Sequence, residues 1–318
     1  MSFTIQPATR QGVKPLVGIY GRSGSGKTMS ALLLARGLVG PAGRIGMIDT
    51  ENGRGSIFAD LIPGGYSVLN LDAPFSPPRY SEAIAELEKH CDIVCVDSMS
   101  HEWNGEGGVL DMQEKELDRM AGDNWSKREA CKMAAWIKPK MEHKQMINRL
   151  LRCKLPLICC LRGEEKTHIV KGENGKNQVI TDAFSSPIFD PRFIFEMLVT
   201  FESLNREGKG GFVHVWKCTH PSIASLLPTE KEQVSVRHGE SLAAWCASPG
   251  TVPGKAATEK TRNWMLDQLK DIHVKMQAYG IDKAIIMPDE SLEEWPLGKV
   301  PMSSAALKQL RSEIEAHV

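Results

Sequence analysis

Eight residues, Gly21-Arg22-Ser23-Gly24-Ser25-Gly26-Lys27-Thr28, fit the pattern G-x-x-x-x-G-K-[ST]. That spacing makes a loop whose backbone N–H groups close around phosphate oxygens. Glycines 21, 24 and 26 permit the curl, Lys27 is the cation for the β- and γ-phosphates, and Thr28 is the hydroxyl for Mg²⁺. A Gly/Ser loop can also arise by accident, so the flanks decide. Leu16 to Tyr20 is a short apolar run suited to a buried strand, and Met29 to Leu38 (MSALLLARGL) is a good helix former. The loop therefore lies between a strand and the positive end of a helix, where an anion is favoured.

A phosphate loop needs an acid to complete the metal site. Asp92-Ile93-Val94-Cys95-Val96-Asp97 is an apolar strand that ends in one, and Asp97 is placed to hold Mg²⁺ through water. Ser98 follows, so the adjacent Glu that orients the attacking water in many AAA+ ATPases and helicases is missing. The run Arg44 to Glu51 (RIGMIDTE) reads as the neighbouring strand. In a doubly wound sheet its carboxyl end opens into the same crevice as the loop. Glu51 is thus the candidate for polarising the water, against the alternative of a solvated acid at a strand end. Glu102 and Glu106 come next.

Taken together, GRSGSGKT, MIDTE one strand later and IVCVDS resemble the core of RecA-type recombinases. The resemblance extends over roughly residues 12–230 and includes the phage-encoded RecA-like ATPases of the single-strand annealing type. It implies an α/β fold, a RecA-like P-loop core with a mostly parallel central sheet. It implies ATP and Mg²⁺ as cofactors, Glu51 as the catalytic position, and assembly into a ring or filament with ATP at subunit interfaces. Single-stranded DNA is the implied partner, in annealing or strand exchange. Lys217, in HVWKCTHP, resembles the position from which a subunit sends a lysine into its neighbour's ATP site, where it would neutralise charge on the transferred phosphoryl group. The alternative is an edge-strand lysine that guards against aggregation. Arg162, closing the run Leu155 to Leu161, departs from the amide usual at the corresponding strand end.

The elements that position these residues span residues 1–246. They close with an antiparallel hairpin from Glu196–Leu204 and Phe212–Lys217 around a glycine-rich turn, Asn205 to Gly211. Residues 247–260 (ASPGTVPG and beyond) read as a linker. Residues 261–318 read as a small helical module that needs the main domain or a protein partner to be stable. With 42% hydrophobic and 25% charged residues in 318, the chain builds a full core. No apolar run reaches the roughly eighteen residues of a membrane span, and MSFTIQPATR lacks a signal-peptide core, so the expected location is the phage or bacterial host cytosol. Eight cysteines without a C-x-x-C pair read as reduced thiols.

The 39 basic and 39 acidic residues cancel, so any nucleic-acid site is local. Two stretches qualify. Residues 127–154 hold nine Lys and Arg, Lys138 and Lys140 among them, against Glu129 and Glu142, and the same charges could be a helix's solvated face. Residues 163–177 (GEEKTHIVKGENGKN) supply Lys166, Lys171 and Lys176 on a polar loop or hairpin. Two other classes compete with recombination. One is a nucleotide-controlled adaptor in DNA replication or packaging, and the other is a small-molecule kinase, for which no arginine-rich lid follows the core.

Overall fold

The apolar runs that bracket the chemistry are too short for helices and rich in Val, Ile and Cys, and they form strands. In the computed structural model, which describes residues 12–171, 177–182 and 185–248, these are β1 (Leu16–Gly21), β2 (Ile45–Asp49), β3 (Ser67–Asn70), β4 (Ile93–Asp97) and β5 (Leu157–Glu164). Helices α1 (Lys27–Val39), α2 (Pro77–Leu87), α3 (Ser100–Asn104), α4 (Val109–Ala121), α5 (Trp125–Cys131) and α6 (Ile137–Leu151) connect them. After β5 come a hairpin of β6 (Thr167–Lys171) and β7 (Asn177–Thr181), then short β8 (Ser186–Pro187) and α7 (Phe193–Glu196). The fold closes with β9 (Val199–Arg206), β10 (Lys209–Cys218), α8 (Pro221–Ala224) and α9 (Val236–Ala247). Lys176, residues 249–260 of the expected linker and the helical module over 261–318 lie outside the described residues.

The main sheet runs β10-β9-β1-β5-β4-β2-β3, parallel along this path except for β10 at the edge, and short β8 pairs antiparallel with the end of β5. Every residue of β1, β2 and β4 is buried, as expected for strands covered on both faces. Alternation then divides the core. Val17, Ile19, Cys95, Ile158 and Cys160 pack under α1 and α9, while Tyr20, Val94, Val96, Cys159 and Leu161 pack under α2 and α6. This is the expected α/β core with a mostly parallel central sheet, in which β5 is inserted between the phosphate-loop strand and the Asp97 strand.

The expected edge hairpin is present, but its turn is tighter than the glycine content suggests. Glu207 and Gly208 alone, both at positive φ, make the reversal, and Lys209 to Gly211 already belong to β10. The glycines at 210 and 211 serve a different purpose, described next.

Candidate active site

The phosphate loop leaves β1 at Gly21 and enters α1 at Lys27. Gly26 caps that helix at φ 91° and no side chain caps it, so the first-turn amides point into the loop with their partial positive charge unopposed. The Lys27 ammonium arches back to donate to the Arg22 carbonyl at 2.8 Å. Ser25 Oγ is buried in the loop and makes no hydrogen bond. Uncapped amides, a lysine and an orphaned hydroxyl converging on one curl suit a polyphosphate.

The hairpin β9–β10 grips this loop from the side. Gly211 N and Ser203 Oγ both donate to the Ser25 carbonyl at 2.7 Å, and Asn205 Nδ2 reaches Gly24 O at 3.2 Å. A Cβ at Gly210 would stand 2.7 Å from the Ser25 carbonyl, which is why a glycine must pass there. The sequence alone places GKGG in a turn and does not reveal this support. Its only signal was more glycine than a two-residue turn requires.

Parallel pairing brings the acids together. Asp49 and Asp97 are register partners on β2 and β4, at the carboxyl ends of both strands. Thr28 Oγ1 donates to Asp97 Oδ2 at 2.5 Å, so the hydroxyl and carboxylate expected to share Mg²⁺ already converge. Burial pushes the Asp97 carboxyl above the usual carboxylate range; the Thr28 hydroxyl offsets this, and the nearby Glu51 and Asp49 charges add to it. A buried carboxyl beside two other acids fits a divalent cation. Asp49 fixes the turn after β2 by accepting from Glu51 N at 2.6 Å and Gly55 N at 2.8 Å. Thr50 ties the two strand ends together, its Oγ1 accepting from Ser98 N and meeting His101 Nδ1, each at 2.7 Å.

Gly24, Gly26, Lys27, Thr28, Asp49, Glu51, Asp97 and Arg162 line one cavity of about 830 Å³, a size suited to a small-molecule ligand. Within it Arg162 donates from Nε and Nη2 to Glu51 Oε1, at 3.1 and 2.9 Å. Arg22, from the loop itself, pairs with Glu165 just beyond β5. Glu102 is fully buried against His143 at 2.9 Å, outside the cavity lining.

The remaining candidates lie elsewhere. Lys217 sits level with Thr200, near the start of β9 and remote from this chain's own loop, and its ammonium donates to the Phe195 and Met197 carbonyls at 2.6 and 2.5 Å. Lys166 and Lys171 flank and end β6 and are exposed. Lys138 pairs with Glu116 at 3.5 Å, and Lys140 lies over the Trp136 ring. Arg128 is held by Glu114 and Asp118, Lys132 by Glu129 at 3.8 Å, and Arg149 by Glu88. Four of the nine cations in the basic stretch thus meet acids, most of these on α4, while Lys127, Lys144, Arg152 and Lys154 are exposed. None of the eight cysteines is in a disulfide, in keeping with reduced thiols. Among the described residues no helix is long and apolar enough to cross a membrane.

Residues 14–188 match the family described as AAA domain. No curated protein sequence matches the chain. Among solved structures it is similar to a KaiC-like protein from the hyperthermophilic archaeon Pyrococcus horikoshii OT3, at 12% identity and a TM-score of 0.37, over 66% of this chain and 81% of that one. It is also similar to an ATPase of the type III secretion system of pathogenic bacteria, at 13% identity and a TM-score of 0.32, over 95% of this chain and 73% of that one.

Proposed function

The chain belongs to the AAA domain family, and on that premise we propose that it binds and hydrolyses ATP, assembles on single-stranded DNA, and promotes annealing or strand exchange. The observation that carries the ATPase reading is the convergence of Lys27, Thr28, Asp97 and Glu51 on one cavity from three separate strand ends. Lys27 and the loop amides hold the β- and γ-phosphates. Thr28 and Asp97 hold Mg²⁺, Asp97 through water, and the ion neutralises charge on the phosphate oxygens. Glu51 accepts the proton of the attacking water or orients it.

The DNA role is supported by the path of the chain. β5 leaves the ATP cavity at Arg162 and continues directly into the β6–β7 hairpin, whose Lys166 and Lys171 are exposed. Lys176, on the same stretch of sequence, adds a third cation to this reading. A strand end shared by the two sites gives nucleotide a direct way to bias the DNA contact. In the assembled protein Lys217 reaches the neighbouring subunit's site, exchanging its carbonyl partners for a phosphoryl group. The C-terminal module recruits a protein partner.

A second reading, the nucleotide-controlled adaptor in replication or packaging, is favoured by the pairing of Arg128, Lys132, Lys138 and Arg149 with acids, which reduces the basic surface there for DNA. Fluorescence anisotropy of a labelled single-stranded oligonucleotide, with and without ATP and Mg²⁺ at two salt concentrations, separates them. Salt-sensitive, nucleotide-modulated binding is expected. Absence of binding in every condition would give the lead to the adaptor.

A further inference from the structure

Two oppositely charged residues of the cavity wall, Glu51 and Arg162, are bound to each other rather than directed at a substrate. Both backbones are fixed. Glu51 N is held by Asp49, while Arg162 N donates to the Ser100 hydroxyl at 2.8 Å and its carbonyl accepts from Ile188 N at 2.8 Å. The side chains are not buried, at 45% exposed for Arg162 and 21% for Glu51. What joins them is a contact between two tips that can part without moving the strands carrying them.

Glu51 Oε1 accepts two guanidinium N–H bonds, and Arg54 approaches Oε2 at 3.5 Å. An oxygen so engaged is poorly placed to accept from water. The guanidinium fork matches phosphate as well as it matches carboxylate. A γ-phosphate on Lys27 would enter the cavity that Arg162 lines, and its several anionic oxygens would compete with one carboxylate for the half-exposed guanidinium. A diphosphate would present no such group.

We propose that Arg162 exchanges Glu51 for the γ-phosphoryl group of the bound triphosphate. The exchange rests on the ATPase reading above. It has two consequences at once: Glu51 is freed to act on water only when there is a bond to hydrolyse, and a cation is supplied to the phosphoryl group in cis. In that arrangement Arg162 is a catalytic residue in addition to Lys27, and its share of the charge stabilisation, unlike that of Lys217, does not depend on a neighbouring subunit.

If Glu51 and the γ-phosphate compete for one guanidinium, weakening one partner must strengthen the other. The test is a double-mutant cycle of Glu51→Gln and Arg162→Gln, reading the affinity of AMP-PNP and of ADP, each with Mg²⁺, by calorimetry. Glu51→Gln is expected to tighten AMP-PNP by about three- to fivefold, the scale of a half-exposed ion pair, and to leave ADP unchanged. In the Arg162→Gln background the gain should vanish. A gain that persists there would mean simple repulsion between Glu51 and the phosphate, and would overturn the exchange. So would the absence of any gain, or an equal gain for ADP. Where Arg162→Gln does not fold, Arg162→Lys serves the same cycle, with the gain reduced because the fork is lost. Hydrolysis adds a second readout: Arg162→Gln should lower kcat by about 10²- to 10³-fold, equally in dilute and concentrated protein. Failure of the unaltered chain to bind either nucleotide would instead overturn the ATPase reading, and the exchange with it. Binding with a cycle that shows no coupling overturns the exchange alone.

Discussion

Two regions of this molecule are rich in positive charge, and they use it in opposite ways. Around the phosphate loop, Lys27 and Arg162 face a cavity, and Lys27 is anchored only to a carbonyl of its own loop. Along α5 and α6, more cations are present, but Arg128, Lys138 and Arg149 each meet a carboxylate from another element. A count of charges along the chain ranks the helices above the loop. What separates Lys27 from the paired helix cations is that the folded protein supplies it no carboxylate within ion-pair distance among the described residues, because an exposed pair contributes little field to its surroundings; Arg162, paired with Glu51, stands between the two cases.

The contrast can be broken at either end. The largest effect is expected from Lys27→Ala, which should lower nucleotide-dependent turnover by about 10³-fold or more, measured as steady-state phosphate release. Retained turnover would remove the loop from the chemistry. Glu51→Gln should bind ATP at least as tightly as the parent and slow hydrolysis by about 10²-fold or more, seen in single-turnover assays. A fully active variant would shift the base elsewhere, and not to Glu102, which His143 holds away from the cavity.

Asp97 gives a pH-dependent test. Because burial raises its folded pKa, the folded chain holds that proton more tightly than the unfolded chain. Stability without Mg²⁺ should therefore fall as pH rises from the ordinary carboxylate range through the raised value. Asp97→Asn should abolish Mg²⁺-dependent turnover yet melt higher than the parent at neutral pH, with the difference shrinking in acid. Identical pH profiles by thermal melting would count against a strained, cation-seeking carboxyl. The smallest effect is expected in the helices, where Lys138→Ala should cost less than about 1 kcal/mol in urea denaturation and leave hydrolysis unchanged. A marked loss of single-stranded DNA affinity in that variant would restore α6 to the DNA surface.

Much of the site is legible in the chain because its parts are local. A glycine-rich loop, an apolar run ending in Asp97 and another ending near Glu51 each declare themselves within a few residues, and the period of buried strands fixes where their ends point. The hairpin at the sheet edge is legible for the same reason. The role of Gly210 and Gly211 is not, since the loop they support lies about 185 residues earlier in the chain and nothing in GKGG names it. Nor is the pairing of Arg162 with Glu51, which are joined across 111 positions.

The sequence by itself determined which groups could hold phosphate and metal, because backbone curl, helix start and residue type are all set by near neighbours. It also determined that the strands would be buried on both faces. Only the tertiary structure decided which charges remain available. That outcome depends on strand order, which inserts β5 beside the loop strand and brings Arg162 to Glu51, and on helix packing, which sets the acids of α4 against the cations of α5 and α6. Electrostatic interactions fall off over a few ångströms in water and salt, so distance in space, unlike distance along the chain, determines which partners a charge acquires.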